Sequence, residues 1–241
     1  MFLPDDCSFR HFSKTLEKLF QSHLPATAHL KGLVSIHQAG SLPGISAEDA
    51  ATCLMHEIDA THCSGLCATT GFFDIKGGFD NVSHPILLDR LTSFGTPSYL
   101  VSWSKSFLLN QSITLTYPGA PNLSVPVSVG VPQGSPVSPL LFVIYVAPLH
   151  ALDGISFRLS YVDDFPLTVA SPSYEQNSRK LIAAFGSLTT QGASIHVPLA
   201  PEKTEVIHWE TCRQRSPAPF SPIQLGGQSI IPSTSICWLG F

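Results

Sequence analysis

The order of apolar patterns along the 241 residues predicts an α+β chain with an antiparallel sheet covered by helices on one side. Three observations carry this. Apolar residues recur at helical spacing in the N-terminal part, and short apolar or alternating runs bounded by Gly and Pro follow. Tyr161-Val162-Asp163-Asp164-Phe165 then sets two adjacent carboxylates between the apolar runs Ile155 to Ser160 and Phe165 to Val169. That last stretch is expected to be a hairpin tip with buried flanks, presenting its acids without burying them. Adjacent carboxylates repel, which leaves two readings: a solvated turn, or a seat for a divalent cation.

The elements follow in order. Phe12, Leu16, Leu19, Phe20 and Leu24 mark a helix that Pro25 should stop, with residues 25 to 45 loop-like. Ser46 and Asp49 form a capping box ahead of a helix facing inward through Ala47, Ala50, Ala51, Leu54, Met55 and Ile58. Cys67 to Ile75 is a strand candidate running into Asp74. Ser83 and Pro85 open a helix reaching Gly95, and another spans Pro97 to Leu109. Ser112 to Tyr117 and Ser124 to Gly130 should pair through the turn chemistry of Pro118 to Asn122. Val131 to Pro136 must be irregular, and Ser138 opens a helix to about Leu152. Beyond the acids come a helix from Tyr174 to about Gln191, a strand from Thr204 to Trp209 and a Pro/Ser-rich loop from Arg213 to Pro222. Short strands are expected at Ile223 to Leu225, Ser229 to Ile231 and Ile236 to Leu239.

Composition bounds the function classes. Charged residues are 12% of the chain, about half the usual share, which fits a surface covered by partners or by the rest of a longer polypeptide. The net charge of −4 counts against tight, autonomous binding to a phosphate backbone. Met1 to Asp6 has neither a basic nor an apolar leader segment, and the run Leu140 to Ala147 is too short to span a bilayer. An intracellular setting, nuclear or cytoplasmic, is expected. Cys7, Cys53, Cys63, Cys67, Cys212 and Cys237 show no disulfide rhythm. His62 with Cys63 and Cys67 lacks the second ligand pair of a zinc finger.

Asp74 sits at the end of the strand candidate Cys67 to Ile75, in the stretch Gly71 to Val82. Should that strand lie beside the hairpin, Asp74 and Asp163 face one another and three acids cluster. Hard oxygen ligands favour Mg²⁺ or Mn²⁺, and two such ions about 3.5 to 4 Å apart form the clamp of in-line phosphoryl transfer.

Several segments in this order carry a family resemblance. Phe73-Asp74-Ile75 with Phe79-Asp80, then Gly130-Val131-Pro132-Gln133-Gly134-Ser135-Pro136 with Ser138-Pro139-Leu140-Leu141-Phe142, then Tyr161-Val162-Asp163-Asp164 resemble successive motifs of reverse transcriptases. Pro201-Glu202-Lys203-Thr204-Glu205 and Trp238-Leu239-Gly240-Phe241 are similar to the next two. The likeness is to non-LTR, LINE-type retrotransposons, and extends upstream to Phe12-Ser13-Lys14, Leu16-Glu17-Lys18-Leu19 and Gln38 to Gly44.

The resemblance implies a reverse-transcriptase-like palm over 67–241, partial fingers over 1–66 and no thumb. It implies two Mg²⁺ or Mn²⁺ ions held by Asp74, Asp163 and the carbonyl of Ile75, with Asp164 completing the acidic cluster. Phe79 matches a bulky gate that leaves no room for a 2′-hydroxyl; the alternative is a core phenylalanine. Gln133 and Gly134 match the segment contacting template and incoming nucleotide. Lys203 matches a general acid for departing pyrophosphate, or is an exposed lysine before an edge strand. Trp238 and Leu239 match the primer grip, and Asp80 is expected to be structural. The implied partners are an RNA template, a DNA primer and dNTP.

Departures bear on activity. Leu42 and Ile45 stand where the family usually carries arginines, and Phe9-Arg10-His11-Phe12 lacks the first finger motif of arginine followed by proline. Two readings follow: an RNA-directed DNA polymerase domain from a longer open reading frame, and a non-catalytic remnant that keeps the fold. A group II intron maturase would need a basic downstream domain, which the sequence does not supply.

Overall fold

The computed structural model describes residues 7–109, 111–119, 121–210 and 220–241, with side chains from Lys14 onward. The chain is divided between two compact units, one made of residues up to Val34 with Phe79–Tyr145, the other of Ser35–Gly78 with Val146–Phe241.

Helix α1 (Cys7–Leu30) opens the first unit and runs through Pro25. The expected stop is overridden because Leu24 and Ala28, one turn apart, are both fully buried, so packing outweighs the lost backbone donor. The loop therefore begins after Leu30 rather than at residue 25. The side chains of Phe9 to Phe12 lie outside the described residues.

In the second unit, α2 (Ala47–Cys63) starts at the expected capping box: Ser46 Oγ accepts from the Asp49 N–H, and the Asp49 carboxylate accepts from the Ser46 N–H. Ala50, Leu54 and Ile58 face inward while Met55 is exposed. β1 (Cys67–Asp74) then enters the sheet as an almost continuously buried strand.

Back in the first unit, a 3₁₀ turn at Phe79–Asn81 precedes α3 (His84–Ser93) and α4 (Ser98–Leu108). Gly95 takes φ +66 between them, which suits a residue without a Cβ. Arg90 is satisfied without a carboxylate, donating to the carbonyls of Ile144 at 2.7 Å and Leu33 at 3.4 Å, and burial lowers its pKa. β2 (Gln111–Leu115) and β3 (Leu123–Val127) form the expected hairpin, exposed on both faces. α5 (Ser138–Val146) carries no charged residue and is buried from Leu140 on. It ends earlier than Leu152 because the chain tightens into a 3₁₀ turn at Ala147–His150, where Pro148 cannot donate to an α-helical ladder.

The second unit holds β4 (Phe157–Arg158), β5 (Asp164–Ser171), α6 (Tyr174–Ser194), β6 (Glu205–Trp209), β7 (Ile223–Leu225) and β8 (Gln228–Ile230). The main sheet has the order β4-β5-β1-β6, every neighbour antiparallel. Ser173 caps α6 by accepting from the Gln176 N–H. α6 covers one face, where Phe73 packs against Phe185 at 5.4 Å. The expected α+β class stands, and α2 adds partial cover on the other face, where Ala68 and Phe72 meet Leu54, Ile58 and Trp238. Ile236 to Leu239 is not a strand. Trp238 and Phe241 instead exchange two backbone hydrogen bonds of 3.0 Å across Leu239 and Gly240, both at positive φ, which is hairpin-turn geometry. Most of the Pro/Ser-rich loop, residues 211–219, lies outside the described residues.

Candidate active site

The acids gather at one end of the main sheet. β1 and β5 run antiparallel with Asp74 directly opposite Asp164, so Asp164, rather than Asp163, is the cross-strand partner of Asp74. Asp163 occupies the turn between Tyr161 and Asp164, which exchange backbone hydrogen bonds of 3.0 and 3.2 Å.

The expected exposure of the pair is corrected by the structure. Asp163 and Asp164 are half-buried because Phe165 to Val169 sink behind them. Burial pushes Asp164 up to about 6, and the negative charges of Asp163 and Asp74 push in the same direction. Burial also raises Asp163, as does the charge of Asp74, while Lys203 pulls it back down. All three carboxylates thus feel one another.

Lys203 supplies the nearby positive charge. It leaves a 3₁₀ turn at Pro201–Lys203 and sets its Nζ 2.8 Å from Asp74 Oδ2, an oxygen otherwise out of solvent contact. The hydrogen bond to Asp74, followed by that carboxylate's charge, raises the lysine's pKa. The turn is held to the strand end by the Ala200 N–H donating to the Asp74 carbonyl and the Lys76 N–H donating to Pro198. These bonds bracket Ile75, whose own polar groups do not make them. A cleft of about 150 Å³ lined by Asp74, Asp164, Lys203, Glu205, Trp238 and Leu239 opens beside the acids. The structure therefore brings the turn residues Trp238 and Leu239 to the acidic end.

Ligand chemistry at this site is all hard oxygen, the set that suits Mg²⁺ or Mn²⁺. Among the described residues no three His, Cys, Asp or Glu side chains already form a cage, and the lysine is paired with Asp74. His62 Nε2 pairs with the Trp209 carbonyl at 3.0 Å and forms no zinc cluster with Cys63 and Cys67.

Phe79, Gln133 and Gly134 belong to the first unit. Phe79 is partly exposed and stacks on buried Phe142 at 4.8 Å, so it is neither a fully buried core residue nor a free ring. The Phe79 carbonyl accepts from the Val131 N–H, and the Val82 carbonyl from the Gly130 N–H. A Cβ on Gly130 would lie 3.0 Å from the Asp80 carbonyl, so that close approach uses its glycine. Gln133 Nε2 donates to Asp80 at 3.0 Å, and Ser138 Oγ donates to Pro132 at 2.6 Å, closing the loop on itself. Gly134 sits exposed at φ +85.

Two features escaped sequence reasoning. Val162, a β-branched residue, takes φ 62, a conformation that costs of order 1–3 kcal/mol and clusters at functional sites. Gln38, 124 residues away, bonds the backbone of that residue. Nothing local in the sequence announces either.

An antiparallel sheet with helical cover and three acids at one end defines the palm of a polymerase-like fold. Telomerase from Candida Tropicalis shares it, with a TM-score of 0.59 over 82% of this chain and 37% of that one at 14% identity. Telomerase from Candida albicans, in complex with a fragment of telomeric RNA, gives 0.56 over 84% of this chain and 36% of that one, also at 14% identity. The family model described as reverse transcriptase (RNA-dependent DNA polymerase) matches residues 7–241, and the chain belongs to that family. Its relatives are non-LTR elements, as the motifs implied. The probable RNA-directed DNA polymerase from transposon BS of Drosophila melanogaster is 26% identical over 95% of this chain and 26% of that protein. The RNA-directed DNA polymerase from mobile element jockey of the same organism is 36% identical over 34% of this chain and 9% of that protein. The chain spans 18% to 26% of the length of three such relatives.

Proposed function

We propose that this chain is the polymerase module of a retrotransposon RNA-directed DNA polymerase, extending a DNA 3′-OH by dNTP addition on an RNA template. The observation that carries the reading is the convergence of Asp74, Asp163 and Asp164 at one sheet end with Lys203 on Asp74. Asp163 and Asp164, pushed toward their neutral forms by burial and by neighbouring negative charge, are groups a divalent cation stabilises. Asp74, Asp163, Asp164 and the Ile75 carbonyl would hold two Mg²⁺ or Mn²⁺ ions. Bound ions supply an activated 3′-oxygen and charge neutralisation at the leaving pyrophosphate.

The chain's own groups do the rest. Lys203, whose hydrogen bond to Asp74 and that carboxylate's charge favour the ammonium form, is the group that donates a proton to departing pyrophosphate. Phe79 excludes the 2′-hydroxyl, and Gln133 and Gly134 meet the template and the incoming nucleotide. Residues 1–66 supply part of the fingers, 67–241 the palm, and the whole acts within a longer polyprotein. The test is primer extension on an RNA template with Mg²⁺ or Mn²⁺. Incorporation that is lost in Asp163→Asn is expected, and incorporation no greater than that variant's would overturn the reading.

A further inference from the structure

Gln38 is buried, 2% exposed, and its side-chain amide is spent on one turn. Its Oε1 accepts from the Val162 N–H at 3.0 Å and from the Gly40 N–H at 2.9 Å, while its Nε2 donates to the Val162 carbonyl at 3.3 Å. Val162 is thereby held at both polar groups of its backbone. The loop carrying Gln38 is itself fixed, since the Ala39 N–H donates to Ser160 and the Ser160 N–H donates to His37, both at 2.8 Å. Gly40 permits the close approach, because a Cβ there would lie 2.5 Å from the Val162 nitrogen.

The residue so held is the one under strain. In the turn Tyr161 to Asp164, Val162 is the second residue and has φ 62, while Asp163 is not at positive φ. That is a position ordinarily filled by glycine. A valine left to itself would relax toward negative φ, and the peptide that orients Asp163 would turn with it.

We propose that Gln38 is a positioning residue for the acidic pair: its amide clamps Val162 in the left-handed conformation and so fixes the direction in which Asp163 leaves the turn. The functional consequence rests on the metal reading of the acids given above. An outer partner that orients a ligand changes metal affinity by about 10- to 100-fold when removed.

The test uses the full chain without nucleic acid. Mn²⁺ binding is followed by electron paramagnetic resonance of the free ion, with Asp163→Asn as background. Gln38→Ala should weaken binding about tenfold or more. Adding Val162→Gly, which adopts the turn without a clamp, should bring affinity back to within about threefold of the unaltered chain. A Gln38→Ala chain that binds within about twofold of the unaltered chain overturns the assignment, and so does a loss that Val162→Gly leaves unrepaired. Should Gln38→Ala fail to fold, a folded and binding double variant supports the clamp, and two unfolded chains overturn it. Mn²⁺ binding by the unaltered chain that Asp163→Asn does not reduce defeats the metal reading instead. Hydrogen exchange at the Val162 amide then decides on Gln38: about tenfold faster exchange in Gln38→Ala supports the clamp, and unchanged exchange overturns it.

Discussion

The two ends of β1 are built on opposite terms. At the Asp74 end, three carboxylates crowd together, a β-branched residue sits in a left-handed turn, and one lysine pairs with Asp74 and offsets part of the charge. At the Cys67 end most polar groups close on one another, with Asn177 Oδ1 buried and without a hydrogen-bond partner. Thr69 Oγ1 shares a 2.7 Å hydrogen bond with His208 Nδ1, and Asn177 Nδ2 donates to Thr69 and to the Cys67 carbonyl. Tyr174 donates to the Trp209 carbonyl, and Trp209 Nε1 to Thr70. Both ends hang on the same strands. The difference teaches that one sheet can spend stability at one end because it is secured at the other.

Substitution should separate the ends. Asp163→Asn is expected to cut primer extension about a thousandfold while leaving the unfolding temperature unchanged or higher, since it removes a repelled charge. Lys203→Gln should slow extension about a hundredfold and erase the alkaline limb of the pH–rate profile. Because that lysine is exposed, its loss should move stability by less than about 0.5 kcal/mol. Asn177→Ala, at the quiet end, should do the reverse: it costs about 2 kcal/mol in urea unfolding and leaves the activity of folded molecules intact. An Asn177→Ala chain of normal stability and poor activity would break the comparison.

The smallest effects are in pH, and the two ends should respond with opposite sign. Asp164 is raised from 3.8 to about 6, so its folded form holds the proton more tightly than the unfolded chain. Its contribution is present at low pH and lost as pH rises through about 6. His208 is lowered by burial from 6.5 to about 4, so its contribution is complete above 6.5 and lost as pH falls toward 4. With screening, each is of order 1–2 kcal/mol. Both changes fall between about pH 4 and 6.5 and oppose one another, so urea unfolding of the unaltered chain should show little net dependence there, whereas Asp164→Asn should unmask the His208 contribution as stability that rises with pH across that window. A curve for that variant parallel to the unaltered chain's would sink the assignment.

Local chemistry made much of this legible. The capping box at Ser46, the strand ending in Asp74, the hairpin around Asp163 and Asp164, and the irregular Gln133 loop each depend on a few neighbouring residues. Pro25 misled because a fully buried face, set by distant partners, overrode a local breaker. Ile236 to Leu239 read as a strand because its apolar residues fit one, whereas Leu239 and Gly240 turn the backbone. The half-burial of the acids and the Gln38 clamp were hidden for the same reason: each is made by segments far apart in sequence.

The β2–β3 ribbon carries a consequence for handling the chain. No Asp, Glu, Lys or Arg occurs from Ser106 to Leu152, and Ile113, Leu115, Leu123 and Val125 are exposed on the hairpin. Among the described residues it pairs with no other strand, so both of its outer edges stay open, with Pro126 as an interruption. An uncharged, apolar ribbon with open edges is a template for strand addition by another copy. Ser112→Lys or Ser124→Lys is therefore expected to act as a gatekeeper, raising the concentration at which light scattering from the chain begins.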